Sequence, residues 1–315
     1  MPGLTLIENV EQHAFMLDYI YEFQAGFAQA FPEAKIEPAK HIDLKRQALR
    51  VFRNTYRHLP LRALGLGVPG LRRQGKAFSV MCGNDFAYCL PSCFTSVESY
   101  IYIFDAWPRD SKVLVDWVRL FGIKKVFLSA LQSTELFNQA MGESEPRGIW
   151  VPEGFQAQDY FHWPCERKDI DVIEFGRRNE PYNQRIMPAL AQAGFSHHDK
   201  RGRVHAPLAR SKVSICFPSN ITHPKRAQFI STMTLRYLQS MASKCLVVGA
   251  MPHDMKKLFD YPAVVEADPD RPGEQLVEIL RNFNDYVPLI EKNHETVLRS
   301  HQWANRMDTI RQHIQ

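Results

Sequence analysis

Apolar side chains recur along this chain at two different spacings, and the change between them divides it into segments. Ile20, Phe23 and Phe27 follow each other at steps of three and four, and the apolar residues of 44–59 repeat in the same way. Steps of this size place side chains on one face of a helix. The spacing therefore predicts a helical segment over residues 1–60.

From residue 77 onward, short β-branched or aromatic runs alternate with helical stretches. In one such stretch Leu114, Trp117, Val118 and Phe121 share a helical face. Strand, helix and strand joined by short links are typical of parallel crossovers in an α/β sheet. The predicted strands are 78–82, 100–106, 125–130 and 148–152, followed by 170–176, 212–218, 245–250 and 263–267.

The two groups of strands predict two Rossmann-like α/β domains. Residues 156–168 interrupt any regular period and mark the boundary between an N-terminal domain over 1–155, with its α/β part at 77–155, and a C-terminal domain. Ligands of such sheets bind at the carboxyl ends of the strands. We therefore expect the two domains to face each other across a ligand cleft.

Composition and charge exclude several classes of protein. A chain of 315 residues with 45% hydrophobic and 23% charged residues is neither disordered nor a small disulfide scaffold. Its net charge of +5 allows a weakly anionic partner without requiring one. Residues 1–21 carry acids where a signal peptide needs a basic start and an apolar run. The six cysteines form no C-x-x-C pair, so reduced thiols in the cytoplasm are expected.

Three motifs are better explained as structure than as chemistry. The G-x-G-x-x-G string at 65–70 lacks a strand before it and a helix after it, which favours a loop. Cys82, Cys89 and Cys93 do not have zinc-site spacing. The D-x-D strings at 169–171 and 268–270 are typical of solvated turns. The sequence thus predicts no metal and no cofactor.

Two segments of the second half favour a polyanionic ligand. In residues 231–236 (STMTLR), hydroxyl side chains precede an apolar helical stripe, so the backbone N–H groups of a first helical turn point toward a strand end. Residues 175–179 (FGRRN) place a glycine and two arginines directly after a strand. The plain alternatives are an ordinary N-cap with a solvent-facing arginine and a charged turn. The candidate ligand-binding residues here are Gly176, Arg177, Arg178, Thr232, Thr234, Leu235 and Arg236.

Several strings, in this order and spacing, resemble GT-B glycosyltransferases, in particular the group-one glycosyl transferases. Residues 151–155 (VPEGF) with 159–161 (DYF) resemble the string that links the two domains of that family. Residues 170–177 are similar to the strand and G-R that open its donor domain, and 234–248 to its donor-site helix and the strand that follows. Residues 301–306 (HQWANR) resemble its terminal H-S-W-x-x-R.

The resemblance implies a GT-B fold with a donor domain over 156–300 and a final helix over 301–315 that returns to the first domain. It implies transfer of a sugar from a nucleotide-diphosphate sugar, with retention and without a metal. The diphosphate would be held by Arg177, Arg178, Thr234 and Arg236, and Lys225 would add positive charge from a nearby loop. This chain departs from the family at Gln239, where relatives keep a donor-ribose glutamate, and at Lys244, where a glycine is usual.

The acceptor side and the alternative functions stay open. Asp105 ends a predicted strand and is the first candidate for the catalytic carboxylate, with Asp85 second and His41 and Glu153 as outsiders. The acceptor is a carbohydrate, a lipid-linked molecule or another group, and a peripheral membrane contact is compatible with the sequence. The alternatives are a sugar-nucleotide epimerase and a non-catalytic protein that binds an anionic polymer. No aromatic residues are interleaved with the basic positions of that polymer site, which disfavours nucleic acid; those positions are Arg72, Arg73, Lys76, Lys124 and Lys125.

Overall fold

The chain folds into two α/β units, each with its own parallel sheet. The computed structural model describes residues 3–8, 18–38, 53–55, 74–83, 90–200 and 202–314. One unit comprises Met1–Pro152 with Met307–Gln315, and the other comprises Glu153–Arg306. Two parallel sheets with helices confirm the predicted α/β class.

The first unit holds a six-stranded sheet in which every neighbouring pair is parallel, in the order β2-β1-β3-β4-β5-β6. Its strands are β1 Leu4–Glu8, β2 Lys35–Pro38, β3 Lys76–Cys82, β4 Glu98–Phe104, β5 Lys125–Leu128 and β6 Gly148–Trp150. Its helices are α1 Asp18–Ala30, α2 at 53–55, α3 Leu90–Thr95, α4 Ser111–Phe121 and α5 Leu131–Met141.

The prediction that residues 1–60 are helical is wrong at two places. β1 lies between β2 and β3 and buries Leu4 and Leu6, while β2 forms the exposed edge of the sheet. These strands are five and four residues long, too short for an alternation of period two to stand out against helical spacing. The stripe Ile20, Phe23 and Phe27 does form a helix and is buried. Most of the predicted stripe over 44–59 lies outside the described residues.

The second unit holds a five-stranded parallel sheet in the order β11-β10-β9-β7-β8. Its strands are β7 Ile170–Phe175, β8 His197–Lys200, β9 Ser211–Cys216, β10 Leu246–Gly249 and β11 Val265–Glu266. Its helices are α6 Glu180–Ala193, α7 His205–Ala209, α8 Ser219–Thr222, α9 Pro224–Ala227, α10 Leu235–Ala242, α11 Met255–Leu258, α12 Pro272–Arg281 and α13 Val287–Ser300.

Strand β8 was not predicted, because its sequence HHDK is polar and largely exposed at the edge of the sheet. One apolar cluster of this unit joins Ile173 of β7 to Leu208 of α7, and a larger one lies between the sheet and helices α6 and α12. Val172 of β7, Val213 of β9 and Leu246 of β10 pack there against Ile186 and Ile279.

The last helix, α14 Trp303–Ile314, begins in the second unit and continues with its residues 307–314 in the first. There the ammonium of Lys76 donates to the carbonyl oxygen of Ile314 at 3.3 Å, and Arg311 donates to that of Ala30 at 2.7 Å. A cation at the carbonyl end of a helix is favourable, so Lys76 helps to fix the end of α14. None of the helices in the described part of the chain is long and apolar enough to span a membrane.

Candidate active site

Arg236, in the first turn of α10, joins the carboxyl ends of two neighbouring strands. Its Nη1 donates to the carbonyl oxygen of Arg177 at 2.7 Å, just beyond β7, and its Nη2 donates to that of Phe217 at 2.8 Å, just beyond β9. A longer contact of 3.5 Å reaches the carbonyl of Phe175. The half-buried guanidinium is thereby held against main-chain oxygens and fixes the loops that follow β7 and β9.

Gly176 lies beneath this guanidinium and has a left-handed backbone, with φ +72°. A Cβ at this position would lie 3.1 Å from Cδ of Arg236, closer than most real contacts. Glycine adopts this left-handed conformation freely, and a side chain here would require Arg236 to shift by a few tenths of an ångström. The sequence analysis predicts that a ligand approaches the backbone at Gly176; in this structure the group that lies beside it is the Arg236 side chain.

The two arginines that follow Gly176 differ in their surroundings. Arg177 is half-buried, and its carbonyl oxygen accepts from Arg236. Arg178 forms an ion pair with Asp199 of β8 and a longer one, at 3.8 Å, with Glu180 of α6. The charge of Arg178 is thus partly neutralised by its own unit.

Glu174 lies on β7, just before the loop that carries Arg177 and Arg178, and the sequence analysis does not single it out. It is 1% exposed near the end of β7 and accepts a hydrogen bond from the side-chain amide of Asn183 on α6. Burial raises the pKa of its carboxyl above the usual range, against the opposing effect of the amide and of Arg178. An ionisable residue within an otherwise apolar strand, IDVIEF, was the signal that could have pointed to it.

The first turn of α10 is capped by Glu153 and not by its own hydroxyl. The backbone N–H of Leu235 donates to Oε2 of Glu153 at 2.7 Å. Thr234 occupies the N-cap position in an extended conformation without a side-chain cap. Its Oγ1 is buried and finds no hydrogen-bond partner among the described residues. The turn thus binds a carboxylate oxygen, as expected where helical N–H groups and the positive end of the helix dipole converge.

Asp254 forms hydrogen bonds with the segment before α10. The sequence analysis does not identify this residue. Its carboxylate accepts from Thr232 Oγ1 at 2.8 Å and from the N–H of Met233 at 2.6 Å. Burial raises the pKa of Asp254 to about 6. Thr232 is 3% exposed, and through its hydrogen bond with Asp254 it positions this segment. Asp254 lies in a turn before a short helix and carries no pattern that separates it from an ordinary turn residue.

The strings at 151–155 and 301–306, far apart in sequence, contact each other directly. Phe155 pairs with Gln302, and the N–H of Trp303 donates to the carbonyl of Phe155 at 3.1 Å. A Cβ on Gly154 would lie 2.8 Å from the nitrogen of Trp303, so only glycine fits. Arg306 donates to the carbonyl of Glu153 at 3.4 Å. These contacts fix the backbone from which the Glu153 side chain reaches α10.

His301 completes this contact as a neutral base. Its Nδ1 lies 2.7 Å from Nη2 of Arg306 and its ring stacks on Phe259. Burial, together with the charge of Arg306, lowers the pKa of His301 to about 3. Because arginine can only donate, Nδ1 must be the acceptor in this hydrogen bond.

Gln239 and Lys244, the two residues that depart from the family pattern, each contact another side chain. Gln239 is buried on α10 and donates from Nε2 to the hydroxyl of Tyr160 at 2.7 Å. Lys244 adopts φ +52°, the left-handed conformation that suits glycine, and its ammonium pairs with Glu291 at 2.6 Å. Lysine at 244 thus keeps the backbone conformation that a glycine would adopt. Lys225 is exposed on α9, in the segment between β9 and α10.

Asp105, the first candidate for the catalytic carboxylate, lies in the first unit just after β4. Its backbone is left-handed, with φ +54°, which is uncommon for a residue other than glycine. Its Oδ2 lies 3.9 Å from Sγ of Cys82, at the end of the neighbouring strand β3. Asp105 is therefore half-buried at the carboxyl edge of its sheet. Asp85 and His41 lie outside the described residues.

The D-x-D strings are engaged in local structure. Asp268 accepts from the backbone N–H groups of Asp270 and Arg271 before α12. Asp169 pairs with Arg210, and Asp171 pairs with Lys212 at 2.8 Å. Within the described ranges, no group of three His, Cys, Asp or Glu residues is arranged to hold a metal ion.

The basic set considered for an anionic polymer is only partly described. Lys76 forms an ion pair with Glu98 at 3.3 Å in addition to its bond with Ile314. Lys124 is exposed and Lys125 is half-buried. Arg72 and Arg73 lie outside the described residues. Among the described members of this set, Lys76 is therefore already engaged in contacts that stabilise the fold.

Comparison with known proteins points to one family. Residues 166–312 match the family described as "Glycosyl transferase-like". Among curated proteins, none matches the chain in sequence.

Solved structures share the fold over nearly the whole chain. The structure of HepE from Anabaena in complex with UDP and glucose is similar with a TM-score of 0.62 and 10% identity, over 98% of both chains. Sucrose-phosphate synthase from Thermosynechococcus elongatus gives 0.56 and 10%, over 98% of this chain and 97% of that one. AviGT4, a glycosyltransferase involved in avilamycin A biosynthesis, gives 0.57 and 9%, over 99% and 97%. At this identity the likeness shows the fold, and it confirms the predicted GT-B architecture.

Proposed function

We propose that this chain is a glycosyltransferase of the group-one type and that it moves a sugar from a nucleotide-diphosphate sugar to an acceptor. The observation that carries the proposal is the position of Arg236, which links the loop after β7, the end of β9 and the first turn of α10. The HepE complexes with UDP-glucose and with UDP and glucose support a nucleotide-sugar as the donor.

In the proposed reaction the donor diphosphate is the leaving group and lies over Gly176 and the first turn of α10. Negative charge grows on it as the glycosidic bond breaks. Fixed N–H groups and cations therefore stabilise the transition state more than the ground state. Arg177 supplies a positive charge from the loop after β7, while Arg178 and Thr232 position the surrounding segments. The remaining proposed donor contacts are Lys225, Thr234, Leu235 and Arg236.

We propose that these cations take the place of a metal ion, so that the reaction does not need one. Retention of configuration at the anomeric carbon rests on the resemblance to group-one enzymes. It is tested by the anomer that ¹H NMR detects in the first product. The five described cysteines are free thiols, which suits the reducing cytoplasm that we propose as the location.

On the acceptor side we propose Asp105 as the catalytic carboxylate, with Asp85 as the second candidate. A carboxylate there would accept the acceptor proton or stabilise positive charge on the sugar. The left-handed backbone of Asp105 supports this choice, because strained residues concentrate at functional sites. A carbohydrate or lipid-linked acceptor, the latter with a peripheral membrane contact, is compatible with this proposal.

Thermal melting with a panel of nucleotide-sugars tests the donor. For the right donor, ligand at 100 times its Kd should stabilise the protein by about 2.7 kcal/mol, with or without EDTA. Arg177→Gln and Arg236→Met should lose this stabilisation. Arg281→Met, a matched change at an exposed arginine of α12, should keep it. Flat melting curves across the panel would contradict a nucleotide-sugar donor, and stabilisation that EDTA abolishes would contradict metal independence.

The same panel separates the alternative functions. A sugar-nucleotide epimerase would convert the donor to its epimer with no acceptor present, which NMR of the nucleotide-sugar detects. A protein that binds an anionic polymer would show no donor turnover and a steep fall of affinity with salt.

A further inference from the structure

The N-terminus of α10, to which the proposed function assigns the donor diphosphate, is occupied by a carboxylate of the chain itself. Leu235 N–H donates to Glu153 Oε2 at 2.7 Å, and both residues are less than 10% exposed. The hydroxyl of Thr234, at the N-cap position beside it, is buried and has no hydrogen-bond partner among the described residues. The turn therefore has a second polar group, the Thr234 hydroxyl, whose hydrogen bonding is incomplete.

Glu153 reaches α10 from a fixed backbone. Gly154 has no room for a side chain beside Trp303, and Phe155 pairs with Gln302. The carbonyl of Glu153 itself accepts from Arg306. Because the main chain on both sides of the carboxylate is tied down, its effective concentration at the turn is high and only its side-chain torsions can move it away.

A carboxylate and a phosphate group compete for the same N–H groups. Both are anions, and both are stabilised by the positive end of the helix dipole. In a buried site the repulsion between two anions is screened less than in water. A donor diphosphate can therefore use the N–H of Leu235 only if the carboxylate of Glu153 moves away.

We propose that Glu153 competes with the donor diphosphate for the N-terminus of α10 and so sets the affinity for the donor. This inference rests on the proposed function, because it takes the diphosphate to bind at that turn. Glu153 is then a specificity-determining residue: it weakens the binding of any phosphate-bearing ligand whose remaining contacts are too few to displace it. The cost of displacing Glu153 is the same for each ligand that uses the N–H of Leu235, so inorganic pyrophosphate, which has few other contacts, binds weakly, whereas a complete nucleotide-sugar offsets that cost.

Calorimetric titration of Glu153→Gln tests this competition. Glutamine keeps an oxygen that can accept from Leu235 and removes the charge. The probes are inorganic pyrophosphate, UDP, GDP and ADP, with uridine, guanosine and adenosine as uncharged counterparts. We expect Glu153→Gln to bind pyrophosphate and one of the diphosphates about ten-fold more tightly than the wild type, a gain of about 1.4 kcal/mol. Binding of the nucleoside should not change. Glu278→Gln, at an exposed position of α12, is the control for the loss of one negative charge and should match the wild type.

The possible outcomes separate this inference from the function on which it rests. If the wild type binds a diphosphate and Glu153→Gln binds it equally well or more weakly, Glu153 is only a cap or a ligand contact, and the competition is overturned while the donor site stands. If neither protein binds any of the diphosphates, both proposals fail. Equal gains in Glu153→Gln and Glu278→Gln would assign the effect to net charge and overturn the role of Glu153. A thermal melt of Glu153→Gln without ligand verifies that the variant is folded.

Discussion

Each unit places a left-handed residue directly after a strand at the carboxyl edge of its sheet, but the residue types differ. In the second unit the residue is Gly176, after β7, with φ +72°. In the first unit one such residue is Gly83, after β3, with φ +68°, and another is Asp105, after β4, with φ +54°. At Gly176 and Gly83 the backbone requirement is thus met by the residue that adopts it freely, and at Asp105 by a residue that does so at a cost.

The difference indicates what each position is for. At Gly176 the missing side chain leaves room for Arg236, so this position serves close approach to the backbone. At Asp105 a carboxylate is kept although its backbone conformation costs of order 1 kcal/mol. We infer that the first unit contributes a side chain at the end of β4, whereas the second contributes main-chain groups and the space above them at the end of β7.

The largest expected effect is that of Asp105→Asn on the rate of transfer. Asparagine has the same shape and also tolerates the left-handed conformation, so the free energy of unfolding should stay within about 0.5 kcal/mol of the wild type. Loss of the carboxylate should lower kcat by a factor of about 10² to 10⁴, with donor Kd unchanged. The assay is donor turnover with the donor that the melting panel selects, alongside chemical denaturation.

Asp105→Gly is the companion variant, because it relieves the backbone and removes the carboxylate. Full activity in both variants would show that Asp105 only forms a turn, and the contrast with Gly176 would then carry no functional meaning. Loss of activity accompanied by unfolding would equally remove the argument for a catalytic carboxylate.

A smaller effect is expected for Gly176→Ala, which tests whether space at the second strand end matters. The left-handed backbone alone should cost about 1 to 2 kcal/mol of unfolding free energy, and displacement of Arg236 should add to it. Gly194→Ala is the matched control, because Gly194 has φ +78° and nothing within 4 Å of an added Cβ. Denaturation should show Gly176→Ala as the less stable variant. Donor titration should show about ten-fold weaker binding for it alone. Equal losses in the two variants would mean that the contact with Arg236 is unimportant.

The smallest effect is expected for Lys244→Gly, which examines a left-handed residue just beyond the C-terminal end of α10. Glycine relieves the backbone but loses the ion pair with Glu291 and gains freedom in the unfolded chain. These terms nearly cancel, so the unfolding free energy should change by less than about 1 kcal/mol. Donor affinity and kcat should match the wild type. A large loss of activity would show that Lys244 does more than maintain the backbone.

The sequence predicted the parts of the fold whose apolar patterns are long or strongly β-branched. Strands such as 100–106 and 170–176 and the helical stripe at 114–121 were evident because burial on a sheet or helix face imposes a clear period. β1, β2 and β8 are not evident from the sequence, because β1 and β2 are short and β8 is a polar strand at the edge of its sheet. Their pairing is decided by neighbours that are distant in sequence, which no local pattern reveals.

In the candidate site, too, the sequence reveals local signals but not contacts between distant residues. The turn at 234–236 and the loop at 176–178 could be identified locally, since a hydroxyl before an apolar stripe and a glycine after a strand are local signals. The hydrogen bond from Leu235 to Glu153 joins residues 82 positions apart, and Asp254 acts on Thr232 across 22 positions. Such contacts depend on tertiary packing, so the sequence alone makes Glu153 no more than an outside candidate and gives no sign of Asp254.

The most direct test of the donor site is a crystal structure of the protein with the nucleoside diphosphate that the melting panel selects. The expected result has phosphate oxygens within hydrogen-bond distance of the backbone at Gly176 and of the first turn of α10, with the Glu153 carboxylate displaced from Leu235. A diphosphate bound elsewhere, with Glu153 still accepting from Leu235 and no phosphate near Arg236, would contradict the assignment of this turn to the donor.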